Sequence, residues 1–347
     1  GKDANGTRIS GEALAPWELA GPAHRYPPAE TERARQAAIA VHGDLLERQH
    51  QYNLASQKLH KELRRAWSRH EWTQRLQAGL VGMPQGLDYR WLYLVTRCLM
   101  LSAETDALIK GSWRATRHGN GAMGQASSVC LLAAQDPAAD GRLSAPLLTT
   151  TAGEMERAGK EILQSAEAIA KAVPDIAEAD RLVAGVLADL NAPHFLRWPS
   201  TWGHLAALEA LLQQAGHCLA RARRHVASAT RDAARARARA EHAAIDLAAA
   251  TARPEEAAIF RQLLRARLGA TEEEMTALLE RGCSLGDAAI ILLYARNTNK
   301  PTAPLMAAHQ GNATWVETAE KLGLPADTQA IVLRLLHNTI VEERIRG

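Results

Sequence analysis

Residues 221–242, RARRHVASATRDAARARARAEH, contain seven arginines but only two acids, Asp232 and Glu241. Guanidinium groups pair strongly with carboxylates and phosphates, so this segment could bind an acidic protein, a nucleic acid or an anionic lipid. The alternative is the solvated surface of a long helix. Exposed helices usually carry acids four residues from their arginines, and the shortage of acids here argues for a binding role.

Helical geometry sorts five of these seven arginines onto one face of the segment. At 100° per residue they share that face with His217, Ser228 and His242. The opposite face is narrow and rich in alanine, which favours close packing against another helix. We therefore predict that the arginine face binds an acidic partner, either another protein or an acidic helix of the same chain. The predicted contact residues are Arg221, Arg224, Arg231, Arg235 and Arg239.

A second contact candidate is the aromatic loop NAPHFLRWPSTWG, residues 191–203. Exposed tryptophans are frequent anchors of protein interfaces. Trp198 and Trp202, together with Phe195, are therefore partner-binding candidates. The alternative is that these rings close the end of a helical bundle, and both interpretations stay open at this stage.

The thirteen histidines raise the question of a metal or haem site. Glu47 and His50 form one Glu-x-x-His pair, whereas di-iron bundles use two such pairs with further acids from facing helices. His42 and His60 lie at nearly the same angle of the same predicted helix. The chain contains no HExxH, CxxC or CxxCH motif. We therefore predict no metal and no cofactor, and a haem- or metal-binding bundle that uses these four residues is an alternative.

The usual catalytic motifs are also missing from the sequence. There is no GxSxG, no SxxK and no Walker loop. The glycines of GNGAMG, residues 119–124, lack the following Lys-Ser/Thr that would hold phosphate and magnesium. We therefore predict no catalytic residues.

Composition favours helices over sheets. Hydrophobic residues make up 47% of the 347 residues, yet aromatic residues make up only 4% and alanine is very common. The net charge of +3 is too small to imply nucleic-acid binding by itself. The most apolar segment, YRWLYLVTRCLML, is too short to span a membrane, and we expect a core helix there. Of the four cysteines, Cys98 and Cys218 lie in apolar helical surroundings and are expected to be buried free thiols, whereas export would allow disulfides among Cys98, Cys130, Cys218 and Cys283.

Periodicity and capping signals outline the elements that position these residues. We expect an extended arm over residues 1–29, long helices over about 30–79, 88–110 and 201–251, and a helix from Pro254 to Gly269. The segment 117–128 is predicted to be a glycine-rich loop. Thr151 and Glu154 form a capping box that predicts a helix start, and Pro174 is expected to interrupt that helix.

The segment after residue 270 is predicted to hold short helices. Three capping boxes mark their starts: Thr271 with Glu274, Ser284 with Asp287, and Thr314 with Glu317. The predicted fold is therefore all-α, with long antiparallel helices forming a bundle over residues 30–269 and a small helical module over residues 270–347.

The end of this module resembles part of a known class of DNA-binding domain. In TWVETAEKLGLPADTQAIVLRLLHNTI, residues 314–340, Ala319, Leu322, Gly323 and Leu324 are similar to the first helix and turn of bacterial helix-turn-helix domains. The second helix departs from that pattern because it is mostly apolar. The polar side chains that could reach base edges are Gln329, Arg334 and His337.

A longer segment, residues 278–324, resembles a helical-hairpin module of uncharacterised bacterial exported proteins. That module has a cap, an apolar helix, a Thr-Gly-Lys turn, a short helix and a Gly-x-x-Trp motif before its last helix. Asn299 replaces the usual glycine and Cys283 the usual aromatic residue. The resemblance implies export and says nothing about chemistry. The matching residues are Gly282, Ser284, Asp287, Thr298, Lys300, Gly311, Trp315 and Leu322.

Together these observations predict a non-catalytic interaction or assembly protein of the bacterial envelope, which binds an acidic protein partner or a second copy of itself. The alternatives are a nucleic-acid-binding protein that uses the arginine face with the tail, and a haem- or metal-binding bundle. No signal peptide is visible, so export requires a processed N-terminus, and the chain is expected to be cytoplasmic without that processing.

Overall fold

A computed structural model describes residues 28–80, 89–135, 145–191, 201–251, 254–309 and 314–324, together with residues 328, 332, 335 and 338. Four long helices come first: α1 (Pro28–Ala78), α2 (Tyr89–Gln135), α3 (Ala145–Asn191) and α4 (Thr201–Thr251). Shorter helices follow: α5 (Pro254–Leu268), α6 (Glu272–Glu280), α7 (Leu285–Thr298), α8 (Thr302–His309) and α9 (Trp315–Lys321). The described residues contain no strand, which confirms the all-α class. The predicted arm over residues 1–29 lies outside the described residues, except for its last two positions.

The chain divides into two compact units. The first, which we call the mid-helix unit, comprises Gln49–Gly121 and Glu161–Ala233. The second, which we call the terminal unit, comprises Gly1–Arg48, Ala122–Lys160 and Ala234–Gly347. The predicted domain boundary near residue 270 stays a prediction.

The mid-helix unit is a bundle of four helical segments. The Tyr52 hydroxyl on α1 donates a hydrogen bond of 2.9 Å to the Thr116 carbonyl on α2. The Ser165 hydroxyl on α3 donates one of 2.8 Å to the Ala229 carbonyl on α4. Ten residues further along α3, Asp175 pairs with Arg221, which precedes Ala229 in α4. These two segments therefore run antiparallel, as predicted for this part of the bundle.

Small side chains let the helices of this unit approach closely. Gly111 on α2 lies so near α4 that a β-carbon there would come 3.2 Å from a methyl group of Val226. The alanine-rich face of α4 is buried, as the helical geometry predicts. Its buried members are Leu208, Leu212, Leu219, Val226, Ala229, Ala233 and Ala240, and Ala244 is half-buried.

The predicted glycine-rich loop at residues 117–128 is wrong, because α2 continues through it to Gln135. Gly119 is the position where a glycine is needed, since a β-carbon there would overlap the buried hydroxyl of Tyr52. Tertiary packing against α1 therefore outweighs the weak helix propensity of the glycines.

Two predictions for α3 are also wrong. The helix begins at Ala145, so Thr151 and Glu154 lie inside it and do not form a capping box. Pro174 does not interrupt the helix either. Proline has no N–H group, so the carbonyl of Ala170, four residues earlier, lacks its helical hydrogen bond. Pro174 and Ala170 are both exposed, so water can bond this carbonyl instead. The buried stripe continues across the proline, which keeps the helix packed.

The short helices of the terminal unit pack around one apolar core. Ile245 of α4 and Phe260 of α5 belong to this core together with most of α7. Trp315 and Tyr294 are fully buried in it and meet edge to face, with ring centroids 5.8 Å apart. The predicted bounds of α5 are confirmed within one residue.

The predicted caps are formed at the starts of α6, α7 and α9. Thr271 and Glu274 form a complete capping box, and Thr314 and Glu317 form another. Ser284 accepts a hydrogen bond from the backbone of Asp287. These caps satisfy amide groups that have no partner inside the helix. Most of the second helix of the proposed helix-turn-helix, including Gln329, Arg334 and His337, lies outside the described residues.

Substitutions at two glycines of α2 test this packing. We expect Gly119→Ala to destabilise the protein by roughly 1–3 kcal/mol, because the new methyl group displaces the Tyr52 hydroxyl from its buried hydrogen bond. Gly121→Ala is the matched control, since nothing lies within 4 Å of its β-carbon position. The control should be about 0.5–1 kcal/mol more stable than the wild type. Urea unfolding measures both, and equal stabilisation by the two changes would contradict the packing.

Candidate functional site

The arginine face of α4 is exposed only over its first part. Arg221, Arg224 and Arg231 are exposed. Arg221 makes a two-pronged ion pair with Asp175 of α3, with Nη2 2.6 Å from Oδ1 and Nε 3.2 Å from Oδ2. Arg224 and Arg231 form no ion pair with any described residue. These two residues fit the predicted partner-binding role, which stays a prediction.

Further along α4 the same face is covered by the terminal unit. Arg235 is half-buried and lies 3.5 Å from Glu320 of α9. Arg239 is only 3% exposed. Its Nη1 donates hydrogen bonds of 2.9 Å to Glu154 and 3.3 Å to the Thr314 hydroxyl. The acid that Arg239 binds belongs to α3 of the same chain, which is the second of the two kinds of partner predicted for this face.

One turn beyond Arg239, three ionisable side chains meet. His242 and Asp246 are four residues apart and so share a face of α4. Asp287, in the first turn of α7, approaches the same imidazole. His242 Nε2 lies 3.4 Å from Asp246 Oδ2 and 3.7 Å from Asp287 Oδ1. We refer to these three residues as the His–Asp–Asp cluster.

Neighbouring groups fix the orientation of Asp287. The indole Nε1 of Trp315 donates a hydrogen bond of 2.8 Å to its Oδ1. The Ser284 hydroxyl donates one of 2.9 Å to its Oδ2. Gly286 allows the close approach of α7 to α4, since a β-carbon there would lie 3.0 Å from Asp246 Oδ1. The Asp287 carboxylate therefore has little freedom to rotate away from His242.

The surroundings of the cluster shift the pKa values of its two carboxyl groups in opposite directions. Burial raises the pKa of Asp246 to about 7, assisted by the charges of Asp287 and Glu154 and opposed by His242. Burial also acts on Asp287, but His242 and the hydrogen bonds from Trp315 and Ser284 lower its pKa to about 2. For His242, burial lowers the pKa, yet the surrounding carboxylates outweigh it and raise the pKa overall. The charged forms of His242 and Asp287 thus stabilise each other, while burial disfavours the charged form of Asp246.

The four metal-ligand candidates suggested by the sequence do not come together as a ligand set. His42 is half-buried, whereas Glu47, His50 and His60 are exposed on α1. Within the described ranges, the group of histidine, cysteine and acidic side chains with metal-ligand spacing is the His–Asp–Asp cluster. None of the four predicted candidates belongs to it.

A basic groove on α1 was missed by the sequence reasoning. It has a volume of about 730 Å³ and belongs to the mid-helix unit. Lys61, Arg64, Arg65 and Arg69 are exposed, and none of them forms an ion pair with a described residue. The signal was visible in residues 57–69, where Glu62 is the only acid. The groove is lined by Ser56, Gln57, His60, Lys61, Arg64, Arg65, Ser68 and Arg69.

The aromatic and apolar contact candidates have different outcomes. Phe195 and Trp198 lie outside the described residues, and only the backbone of Trp202 is described.

The predicted core helix in YRWLYLVTRCLML is buried on one face only. Its other face is an exposed apolar strip in the first turns of α2, spaced as one side of a helix. The members of this strip are Tyr89, Leu92, Tyr93, Leu99 and Met100.

The four cysteines are free in the structure. Cys98, Cys130 and Cys218 are buried and Cys283 is half-buried, which confirms the expected buried thiols for Cys98 and Cys218. Burial raises the pKa of Cys98 and of Cys130 to about 12, so these thiols are poor nucleophiles.

The chain matches no family model, no curated protein and no solved structure. In the part of the chain that the structure describes, no helix has an apolar stretch long enough to cross a membrane. Arguments about function therefore rest on the residues of the two candidate sites.

Because the arginine face of α4 is exposed at Arg224 and buried at Arg239, the same substitution should change the stability of the protein differently at these two positions. Arg239→Met should destabilise the protein by roughly 1–3 kcal/mol, because the buried Glu154 carboxylate loses its buried partner and retains the more exposed Arg157. Arg224→Met is the matched control and should change the free energy of unfolding by less than about 0.5 kcal/mol. The double variant Arg239→Met with Glu154→Leu should recover much of the loss. Equal effects of the two single changes in urea unfolding would contradict the burial of Arg239.

Proposed function

We propose that the protein is a non-catalytic interaction protein whose mid-helix unit binds an acidic segment of a partner protein. The observation that carries this proposal is the set of exposed cations in the basic groove that form no ion pair with a described residue: Lys61, Arg64, Arg65 and Arg69. Arginine at these positions offers paired donors that match carboxylates.

The repulsion between neighbouring cations of the groove supports a binding role. Lys61 and Arg65 are four residues apart, and so are Arg65 and Arg69, so each pair sets like charges next to each other on α1 and weakens the helix. Two exposed arginines elsewhere in the same unit do have partners within the chain: Arg221 pairs with Asp175 and Arg223 with Glu104. An acidic partner would provide in the groove the neutralisation that the chain itself provides at those positions.

A protein partner fits the surface better than a nucleic acid does. The net charge of the chain is only +3, whereas nucleic-acid-binding domains are usually strongly basic. The mid-helix unit also exposes the apolar strip of α2, with Tyr89 76% exposed and Met100 59% exposed. Exposed aromatic and methionine side chains are typical of protein interfaces, while phosphate backbones offer them little to contact.

We keep the bacterial envelope as the proposed location, and the resemblance of residues 278–324 is its support. Ser284, Asp287 and Trp315 of that segment do form specific contacts. Detection of a processed N-terminus in cells would support export, and an intact translated N-terminus would overturn it.

A titration with an acidic peptide tests the proposed function. Fluorescently labelled polyglutamate of about 20 residues should bind the full chain at low salt and weaken as salt screens the contacts. Arg64→Glu with Arg65→Glu should weaken binding by at least about tenfold, because repulsion replaces attraction in the groove. Fluorescence anisotropy measures the dissociation constants.

The control changes the charge of the same unit by the same amount outside the groove. Lys171→Glu with Arg181→Glu alters two exposed residues of α3 and should leave binding of the peptide nearly unchanged. Equal losses in the two double variants would overturn the assignment of the groove. Tighter binding of a short DNA duplex than of polyglutamate would overturn the choice of a protein partner in favour of nucleic acid.

A further inference from the structure

Among the described residues, two buried histidines contact aspartates with different geometries. In the mid-helix unit, His70 Nδ1 lies 2.9 Å from Asp180 Oδ1, which is an ordinary hydrogen-bond distance. The other ring nitrogen of His70 lies 3.2 Å from the Gln74 amide. Both nitrogens of His70 are therefore used, and this pair shows how a satisfied histidine–carboxylate contact is built in this chain.

The imidazole of the His–Asp–Asp cluster is not satisfied in this way. His242 is only 9% exposed, yet its Nε2 forms no hydrogen bond with any described residue. The 3.4 and 3.7 Å contacts to Asp246 and Asp287 exceed the usual range of roughly 2.7–3.2 Å. Asp246 Oδ1 is also buried without a hydrogen-bond partner among those residues. Buried polar atoms of this kind normally have a partner.

We propose that His242, Asp246 and Asp287 form a binding site for a divalent transition-metal ion of the zinc class. The site lies within the terminal unit and goes beyond the proposed partner binding, because it uses different residues and a different ligand. A metal ion between the three side chains would be the partner that the buried nitrogen of His242 is missing.

The spacing of the ligand atoms fits this proposal. Zinc–nitrogen and zinc–oxygen bonds are about 2.0–2.2 Å long, so two ligands at a tetrahedral angle lie about 3.4 Å apart. The two measured separations from His242 Nε2 are 3.4 and 3.7 Å, and the ligand atoms of all three residues lie within 4.8 Å of one another. The two separations from His242 Nε2 are longer than most hydrogen bonds and close to the spacing of atoms that share a central ion.

The charges of the site also suit a divalent cation. Glu154 is already neutralised by Arg239, at 2.9 Å. Asp246 and Asp287 then leave two negative charges beside a histidine that binds metals in its neutral form. A divalent ion balances those two charges.

The donor set selects the class of metal. Calcium and magnesium prefer oxygen ligands alone, whereas an imidazole nitrogen with carboxylate oxygens suits zinc and its neighbours. Supporting contacts of the kind found around metal ligands are present, because Trp315 and Ser284 hold the Asp287 carboxylate in place. Asp287 is also the most open of the three, with its side chain 28% exposed, which provides a route of entry.

Metal binding by the full chain tests the site. After removal of metals with a chelator, the protein should bind one Zn²⁺ per chain by equilibrium dialysis, and its thermal midpoint should rise by about 5 °C or more. Asp246→Asn should weaken Zn²⁺ binding by at least about tenfold, since even the loss of a residue that only supports a ligand costs roughly 10- to 100-fold. Asp180→Asn removes the carboxylate of the ordinary histidine pair and should leave Zn²⁺ binding unchanged.

A spectroscopic measurement on the wild-type protein keeps the proposal testable if Asp246→Asn fails to fold. Bound Co²⁺ should give visible ligand-field bands, with no near-ultraviolet thiolate band, because no cysteine belongs to the site. Zn²⁺ should displace the Co²⁺ and abolish those bands. Absence of stoichiometric binding, a thiolate band, or equal affinities of Asp246→Asn and the wild type would each overturn the proposal.

Discussion

The terminal unit depends on the burial of charged side chains from α4. Beyond residue 234 this helix carries Arg239, Glu241 and His242 into the interior, each at most 9% exposed. A buried charge is strongly unfavourable unless another group compensates it. The positions of Glu154 on α3, of Asp287 on α7 and of the cap at Thr314 therefore follow from one requirement, which is to supply partners for these side chains.

This requirement explains why helices that are distant in sequence come together in the terminal unit. Glu154 meets Arg239, and the Thr314 hydroxyl at the start of α9 accepts a hydrogen bond from the same guanidinium. Trp315, the next residue, donates to Asp287 at the start of α7. The buried polar contacts thus specify which helix ends meet, while the apolar core around Phe260 and Tyr294 supplies most of the burial.

The sequence predicts the long helices well where the apolar periodicity is uninterrupted. The bounds of α1, α4 and α5 agree with the structure to within two residues. The errors occur at glycine and proline, where local propensity suggested a loop at residues 117–128 and an interruption at Pro174. Both segments stay helical because contacts with other helices, such as that of Gly119 with Tyr52, are not encoded in local propensity.

The candidate sites were only partly visible in the sequence. His242 and Asp246 form an obvious i,i+4 pair, but nothing local indicates that Asp287 completes the cluster from another helix. The arginine face was correctly sorted by helical geometry, yet that geometry cannot show which part of a face another helix covers. Arg224 and Arg239 have similar sequence surroundings and opposite environments for this reason. The basic groove on α1 could have been found from its shortage of acids.

The central claim is that α4 changes along its length from an exposed arginine face to a buried and paired one. Arginine-specific modification with phenylglyoxal, mapped by mass spectrometry, tests it most directly. We expect Arg224 and Arg231 to react rapidly in the native protein, and Arg239 to react only after unfolding. Modification of Arg239 at the rate of Arg224 under native conditions would contradict this description of the fold.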